Sequence, residues 1–136
     1  MKNKILIFED EFNGTIKDSF EMANMEFFNN SLEFEVKANS DNTIFECWKE
    51  KYSAVIVDLE LVGSELDGYE ILKIIRDKQL LSLDKVVVMT GMGKLSEKLK
   101  YNGFNPKSIK ILGKPSDFMD IKSVLDSLLP EKDKES

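Results

Sequence analysis

The sequence has no histidine and only one cysteine, which excludes several kinds of functional site. Without histidine the chain can build neither the usual zinc centre nor a histidine-based catalytic triad. Cys47 has no second cysteine with which to form an intramolecular disulfide. Any catalysis by this chain must therefore use carboxylates, hydroxyls or lysine.

A basic excess and long apolar runs are also absent. The 136 residues carry a formal net charge of −6, and the basic residues are scattered singly. Because nucleic acids and anionic membranes attract basic surfaces, we expect neither as a direct partner. The apolar stretches are too short to span a bilayer, and the four apolar residues after Lys4 are too few for a signal-peptide core. We predict a cytoplasmic protein of one domain.

Short apolar runs alternate along the chain with segments of helical periodicity, five of each, a pattern typical of β-α-β units and a parallel sheet. The runs at 4–8, 54–57 and 86–89 are almost uniformly apolar, which predicts central strands covered on both faces. Apolar and polar residues alternate at 34–38 and 109–111, which predicts edge strands.

This division between central and edge strands selects the order 2-1-3-4-5 among doubly wound sheets. Right-handed crossovers then place helices one and five on one face and helices two to four on the other. We therefore predict an α/β protein, a doubly wound (βα)5 flavodoxin-like fold. On the second helix we expect Ile44, Cys47 and Trp48 to form one apolar stripe, with the cysteine and tryptophan packed in the core.

Acidic residues stand at the ends of two strands that this order makes neighbours. Glu9 and Asp10 follow the first strand, and Asp58 ends the third. We expect their carboxylates to converge at the switch point, where open α/β sheets bind ligands. Hard oxygen ligands suit Mg²⁺, which completes its octahedron with waters and phosphate oxygens. The sequence therefore predicts a Mg²⁺ site that handles a phosphoryl group.

Other residues at the same predicted edge suit phosphoryl chemistry. Asp58 can accept the group as an aspartyl phosphate, with the cation neutralising its charge. Thr90 ends the fourth strand with a hydroxyl that can donate to a phosphoryl oxygen, and Gly91 leaves space beside it. Lys114 ends the fifth strand and can bring an ammonium group toward the phosphate from that side.

Five motifs follow one another along the chain at the predicted strand ends. They are ILIFEDE at 5–11, AVIVDL at 54–59, DGYE at 67–70, VMTG at 88–91 and GKP at 113–115. In this order they resemble the motifs of the response-regulator receiver domain. The resemblance covers residues 1–129 and leaves 130–136 as a short charged tail. It implies a stand-alone phosphoacceptor signalling domain rather than an enzyme.

The resemblance also implies roles for single residues. Asp58 takes a phosphoryl group from a sensor histidine kinase or a histidine phosphotransfer protein. It shares a Mg²⁺ ion with Asp10 as a direct ligand, Glu9 mostly through water and the backbone carbonyl of Glu60. Thr90 matches the hydroxyl residue that the family uses to switch conformation, and Lys114 matches the family's phosphate-contacting lysine. The output is a changed surface read by a downstream protein, onward phosphate transfer or a homodimer, and the sequence leaves these three open.

Three positions depart from the usual receiver pattern. Ile111 stands where the family commonly has an aromatic residue, so a rotamer switch of an aromatic ring coupled to Thr90 is excluded. The loop at 61–66 is about two residues longer than usual, and we expect it to reshape partner docking. Glu60 adds a carboxylate near the phosphoryl group, at a position that by analogy tunes the lifetime of the phosphorylated state.

Other interpretations compete with this one. The acids at 9–11 could cap the first helix. A flavodoxin-like electron carrier needs a loop rich in hydroxyls and glycine where these acids stand. A haloacid-dehalogenase-type phosphatase needs a second aspartate where Glu60 stands. The main alternative is a receiver-like scaffold that binds partners without being phosphorylated.

Overall fold

The computed structural model describes residues 3–41, 43–61, 66–91, 95–113 and 118–129. Five parallel strands form one sheet in the order β2-β1-β3-β4-β5, which confirms the predicted doubly wound fold. The strands are β1 (Asn3–Phe8), β2 (Leu32–Lys37), β3 (Ala54–Asp58), β4 (Val86–Thr90) and β5 (Lys110–Gly113). The helices are α1 (Gly14–Phe28), α2 (Trp48–Lys51), α3 (Gly68–Asp77), α4 (Leu95–Tyr101) and α5 (Phe118–Leu128). The predicted tail at 130–136 lies outside the described residues.

The strands differ in burial as the sequence predicts. Every residue of β3 and of β4 is buried, because both lie inside the sheet with helices on each face. The edge strand β2 is less buried, with only Leu32 buried; its burial does not alternate as predicted, since Val36 is 39% exposed. Neighbouring strands pair in a register that joins Phe8 to Val57 and Asp58 to Met89. The carboxyl ends of β1, β3 and β4 therefore lie side by side.

The core consists of two apolar layers, one on each face of the sheet. On one face β3 presents Val55 and Val57 to buried residues of α2, α3 and α4. On the other face it presents Ala54 and Ile56 to buried residues of α1 and α5. The predicted distribution of the helices over the two faces is thus confirmed. In the part of the chain that the structure describes, no helix is both long and apolar enough to cross a membrane.

The second helix differs from its prediction. It has a single turn and begins only at Trp48, because Cys47 adopts a left-handed conformation with φ 59° that no right-handed helix can continue through. Trp48 is 1% exposed and stacks on Phe8, and its indole N–H donates to the carbonyl of Ile44 at 2.7 Å. The prediction that Trp48 packs in the core is right. It is wrong for Cys47, which is exposed. The predicted stripe is wrong as well, because Ile44 lies outside the helix and is 66% exposed.

A buried polar side chain fixes the connection from α1 to β2. Asn24, 9% exposed, donates to the carbonyl of Leu32 at 3.0 Å and accepts from its N–H at 3.1 Å. Between them Asn29 and Asn30 have φ of 53° and 57°, the left-handed region that asparagine tolerates best after glycine. These bonds set where β2 begins.

Candidate functional site

Three carboxylates meet at the carboxyl ends of β1 and β3. One oxygen each from Glu9, Asp10 and Asp58 lies within 4.8 Å of the other two. Glu9 and Asp58 are each 1% exposed, whereas Asp10 is exposed. The strand order thus brings together the acids that the sequence analysis placed at the switch point.

The turn after β1 directs these acids into the cluster. The N–H of Glu9 donates to the Lys37 carbonyl at 3.0 Å, which extends the pairing of β1 with β2 by one residue. Its Oε1 then accepts the N–H of Glu11 at 3.0 Å. Helix α1 begins at Gly14 after Asn13 as its N-cap residue, with no acid in its first turn. The alternative that residues 9–11 cap this helix is therefore wrong.

The cluster has the chemistry of a cation site. Two buried carboxylates and a third within 4.8 Å repel one another while all three are charged. Direct ligands of an octahedral Mg²⁺ ion lie at most about 4.2 Å apart. A separation within 4.8 Å therefore needs only a small contraction, or a water between one acid and the ion. The all-oxygen donor set fits a hard divalent cation.

The turn after β3 holds Asp58. The N–H of Leu59 donates to the Met89 carbonyl at 3.0 Å and so continues the pairing with β4 beyond the end of the strand. The Oδ1 of Asp58 accepts the N–H of Glu60 at 2.9 Å. This bond fixes one carboxylate oxygen of Asp58 against its own backbone turn. The Glu60 carbonyl belongs to the same turn, and its part as a metal ligand stays a prediction.

The side chain of Glu60 links this turn to the end of β4. The hydroxyl of Thr90, a residue only 6% exposed, donates to Glu60 Oε1 at 3.1 Å. The N–H of Gly91 donates to the same oxygen at 2.6 Å. The sequence analysis placed an additional carboxylate here but did not foresee these bonds. Lys114, the remaining predicted site residue, lies outside the described residues.

Helix α3 approaches the acceptor strand so closely that its first residue must be glycine. A Cβ on Gly68 would lie 2.6 Å from the carbonyl oxygen of Asp58 and 2.6 Å from the Cα of Leu59. Before it, Asp67 accepts the N–H of Glu70 at 2.9 Å, and Glu70 accepts the N–H of Asp67 at 3.1 Å. This capping box fixes the start of α3 against the acceptor turn.

Ser40 has a structural part that sequence reasoning missed. It is 2% exposed, and its hydroxyl donates to the Leu66 carbonyl at 3.0 Å and accepts the Leu66 N–H at 2.7 Å. It thus anchors the far end of the enlarged loop at 61–66, of which residues 62–65 lie outside the described residues. A serine in a polar stretch gives no periodic signal, so the sequence could not mark it.

Two further side chains belong to elements that surround the site. Ile111 is 41% exposed on β5, where its Cα pairs with that of Val88. Tyr69 follows Gly68 on α3 and packs on the core layer of α2 to α4. Burial raises the pKa of the Tyr69 phenol, and the charges of Asp67 and Glu60 raise it further. The phenol is therefore neutral beside the acidic edge.

Comparison with known proteins gives matches at the level of structure. No protein-family model matches the sequence. No curated protein matches it either. Solved structures of similar fold do occur, and three of them are 18 to 23% identical in sequence to this chain.

The chemotaxis response regulator CheY4 of Vibrio cholerae has a TM-score of 0.67 at 18% identity, over 95% of this chain and 100% of that one. A response regulator from Chloroflexus aurantiacus has a TM-score of 0.63 at 23% identity, over 94% and 98%. The receiver domain of NtrX from Brucella abortus has a TM-score of 0.61 at 20% identity, over 91% and 97%. The described chain therefore has the fold of the response-regulator receiver domain.

Proposed function

We propose that this chain is a phosphoacceptor signalling domain in which Asp58 accepts a phosphoryl group in a Mg²⁺-dependent reaction. The observation that carries the proposal is the cluster of Glu9, Asp10 and Asp58, with oxygens within 4.8 Å at the ends of adjacent strands. Two of the three carboxylates are buried, and a structural role alone gives no reason to bury acids so close together. The receiver fold supports the same conclusion.

The proposed reaction is a direct phosphoryl transfer. An oxygen of Asp58 forms a bond to phosphorus while the phosphorus–nitrogen bond of a donor phosphohistidine breaks, and the imidazole nitrogen keeps the electron pair. The histidine belongs to a sensor kinase or a phosphotransfer protein, since this chain has none. Asp10 would hold Mg²⁺ directly, and Glu9 mostly through water, with the backbone carbonyl of Glu60 as a further ligand. The ion would neutralise charge on the transferred group.

Residues at the ends of β4 and β5 would bind the phosphoryl oxygens and transmit the change. We assign the hydroxyl of Thr90 to one oxygen and the ammonium group of Lys114 to another. Movement of Thr90 toward the phosphoryl group would reshape residues 91–104 and 108–113, which a downstream protein would recognise. Ile111 cannot act as an aromatic switch, so we assign the change to these segments alone.

The test is phosphorylation by a small acyl phosphate, with and without Mg²⁺, followed by intact mass. We expect the mass of one phosphoryl group on the wild type, none on Asp58→Asn, and strong reduction on Asp10→Asn at limiting Mg²⁺. Asp18→Asn is the matched control, because it removes an exposed carboxylate of α1 away from the cluster. Equal labelling of Asp58→Asn and wild type would refute Asp58 as the acceptor.

One observation favours a second function, the receiver-like scaffold that is not phosphorylated. Thr90 and Gly91 already donate to the carboxylate of Glu60, so an anion occupies the end of β4 without any phosphoryl group. A scaffold of this kind would bind its partner equally well as the wild type and as the Asp58→Asn variant. Absence of labelling from both an acyl phosphate and a phosphohistidine donor would establish it over the first proposal.

A further inference from the structure

The Glu60 carboxylate makes contacts that the proposed reaction does not use. Its Oε1 accepts the Thr90 hydroxyl at 3.1 Å and the Gly91 N–H at 2.6 Å. Thr90 is 6% exposed and Glu60 is half-buried, so the bond between them is partly shielded from water, whereas the bond from Gly91 is exposed. A hydrogen bond to a charged acceptor is stronger than one between neutral groups. The unphosphorylated chain thus holds these two donors with a negative charge of its own.

The same two donors lie where a phosphoryl group on Asp58 would find them. The β3–β4 register pairs Asp58 with Met89, the residue directly before Thr90. The Leu59 N–H continues this pairing to the Met89 carbonyl at 3.0 Å. The donors at the end of β4 are therefore adjacent to the acceptor turn, and phosphoryl oxygens and the Glu60 carboxylate would require the same hydrogens.

We propose that the Glu60 side chain is an internal competitor of the phosphoryl group and must release these two donors when Asp58 is phosphorylated. This inference rests on the proposed function, since it concerns the acceptor of that reaction. Phosphorylation changes the formal charge on the acceptor from about −1 to about −2. The added charge repels the carboxylate of Glu60, and a single N–H of Gly91 cannot donate fully to both.

Competition predicts that removing the carboxylate favours the phosphorylated state. Glu60→Gln keeps the size and an acceptor oxygen but removes the charge, and Glu60→Ala removes the acceptor as well. Neither variant changes the Glu60 carbonyl or the N–H that donates to Asp58, because both are backbone groups. The variants therefore separate the side chain from the proposed metal ligand in the same residue.

The experiment measures the equilibrium affinity of beryllium fluoride, which adds to a carboxylate as a stable phosphoryl analogue, at saturating Mg²⁺. We expect the Kd to fall about threefold in Glu60→Gln and about tenfold in Glu60→Ala, the ratio that one bond to a charged group is worth. Glu97→Gln is the matched control, with the same change of charge at an exposed position on α4. Its Kd should equal that of the wild type within about a factor of two.

A second measurement tests the bond without any ligand. The Gly91 amide proton, now donating to a carboxylate at 2.6 Å, should shift upfield in the NMR spectrum of Glu60→Gln and not in that of Glu97→Gln. If the wild type binds beryllium fluoride and both Glu60 variants bind it with equal or lower affinity, the inference is refuted and the proposed function is not. Wild-type protein that neither binds beryllium fluoride nor accepts phosphate would overturn both, whatever the amide shows.

Discussion

Gly68→Ala tests the link between helix α3 and the acceptor strand. The added Cβ would lie 2.6 Å from two backbone atoms, the carbonyl oxygen of Asp58 and the Cα of Leu59. Ordinary contact begins near 3.4 Å, so α3 or the acceptor turn must move by about 0.8 Å. Neither neighbour is the flexible end of a side chain, so the strain cannot be relieved by a change of rotamer.

The magnitude follows from two opposing effects. Overpacking of this kind costs about 1–3 kcal/mol of the free energy of unfolding. Replacing glycine with alanine raises the free energy of unfolding by about 0.4–1 kcal/mol, because the unfolded chain loses conformational freedom. We expect a net loss of about 1–2 kcal/mol for Gly68→Ala. Gly113→Ala is the matched control, since a Cβ there meets no atom of the described residues within 4 Å and the glycine has no left-handed φ.

The assay is urea unfolding followed by tryptophan fluorescence. Trp48 is the single tryptophan of the chain and is 1% exposed, so it reports on the core directly. The midpoint of Gly68→Ala should fall at an unchanged m-value, and that of Gly113→Ala should stay equal or rise slightly. Stabilities of the two variants within about 0.5 kcal/mol of each other would refute the steric argument.

Three further substitutions test other parts of the structure. Asn24→Ala should lower the free energy of unfolding, measured by urea denaturation, by about 2 kcal/mol, because the buried N–H and carbonyl of Leu32 lose their hydrogen bonds to the Asn24 side-chain amide. Asp67→Ala should cost about 1 kcal/mol through loss of the capping box and should speed hydrogen exchange in the first turn of α3; unchanged exchange would contradict this. Burial, and then the bond to Glu35, raise the pKa of Tyr52 above its ordinary 10.0. Stability from Tyr52 is therefore complete below about pH 10 and is lost as the pH rises further, and Tyr52→Phe should lessen this alkaline loss, measured as the urea midpoint at about pH 8 and about pH 11.

The features that the sequence predicts correctly are those set by burial along whole strands. Almost uniformly apolar runs identify β1, β3 and β4 as central, which selects the observed order among doubly wound sheets. The convergence of Glu9, Asp10 and Asp58 follows from that order, since parallel strands end at the same edge. A strand's burial is repeated over five or six residues, so a single exception does not mislead the prediction.

The features that the sequence does not predict depend on single contacts between distant segments. The second helix is shorter than expected because Cys47 takes a left-handed conformation, which no composition rule assigns to cysteine. Ser40 bonds to Leu66 across 26 residues, and Thr90 to Glu60 across 30. Such bonds leave no periodicity in the sequence, because each involves one polar side chain whose partner is defined only by the folded chain.

These contacts hold the clustered carboxylates at the ends of β1 and β3 in place. Glu9 and Asp58 are buried close enough to repel each other while both are charged, and the surrounding backbone helps to hold them in place. It does so through the bond from Glu60 to Asp58 and the close approach of Gly68. A bound cation would remove the repulsion and stabilise the chain by about 2.7 kcal/mol at a hundredfold excess over its Kd. Replacing Asp58 with asparagine removes the same repulsion permanently, so this variant should be more stable without Mg²⁺ and gain less from it.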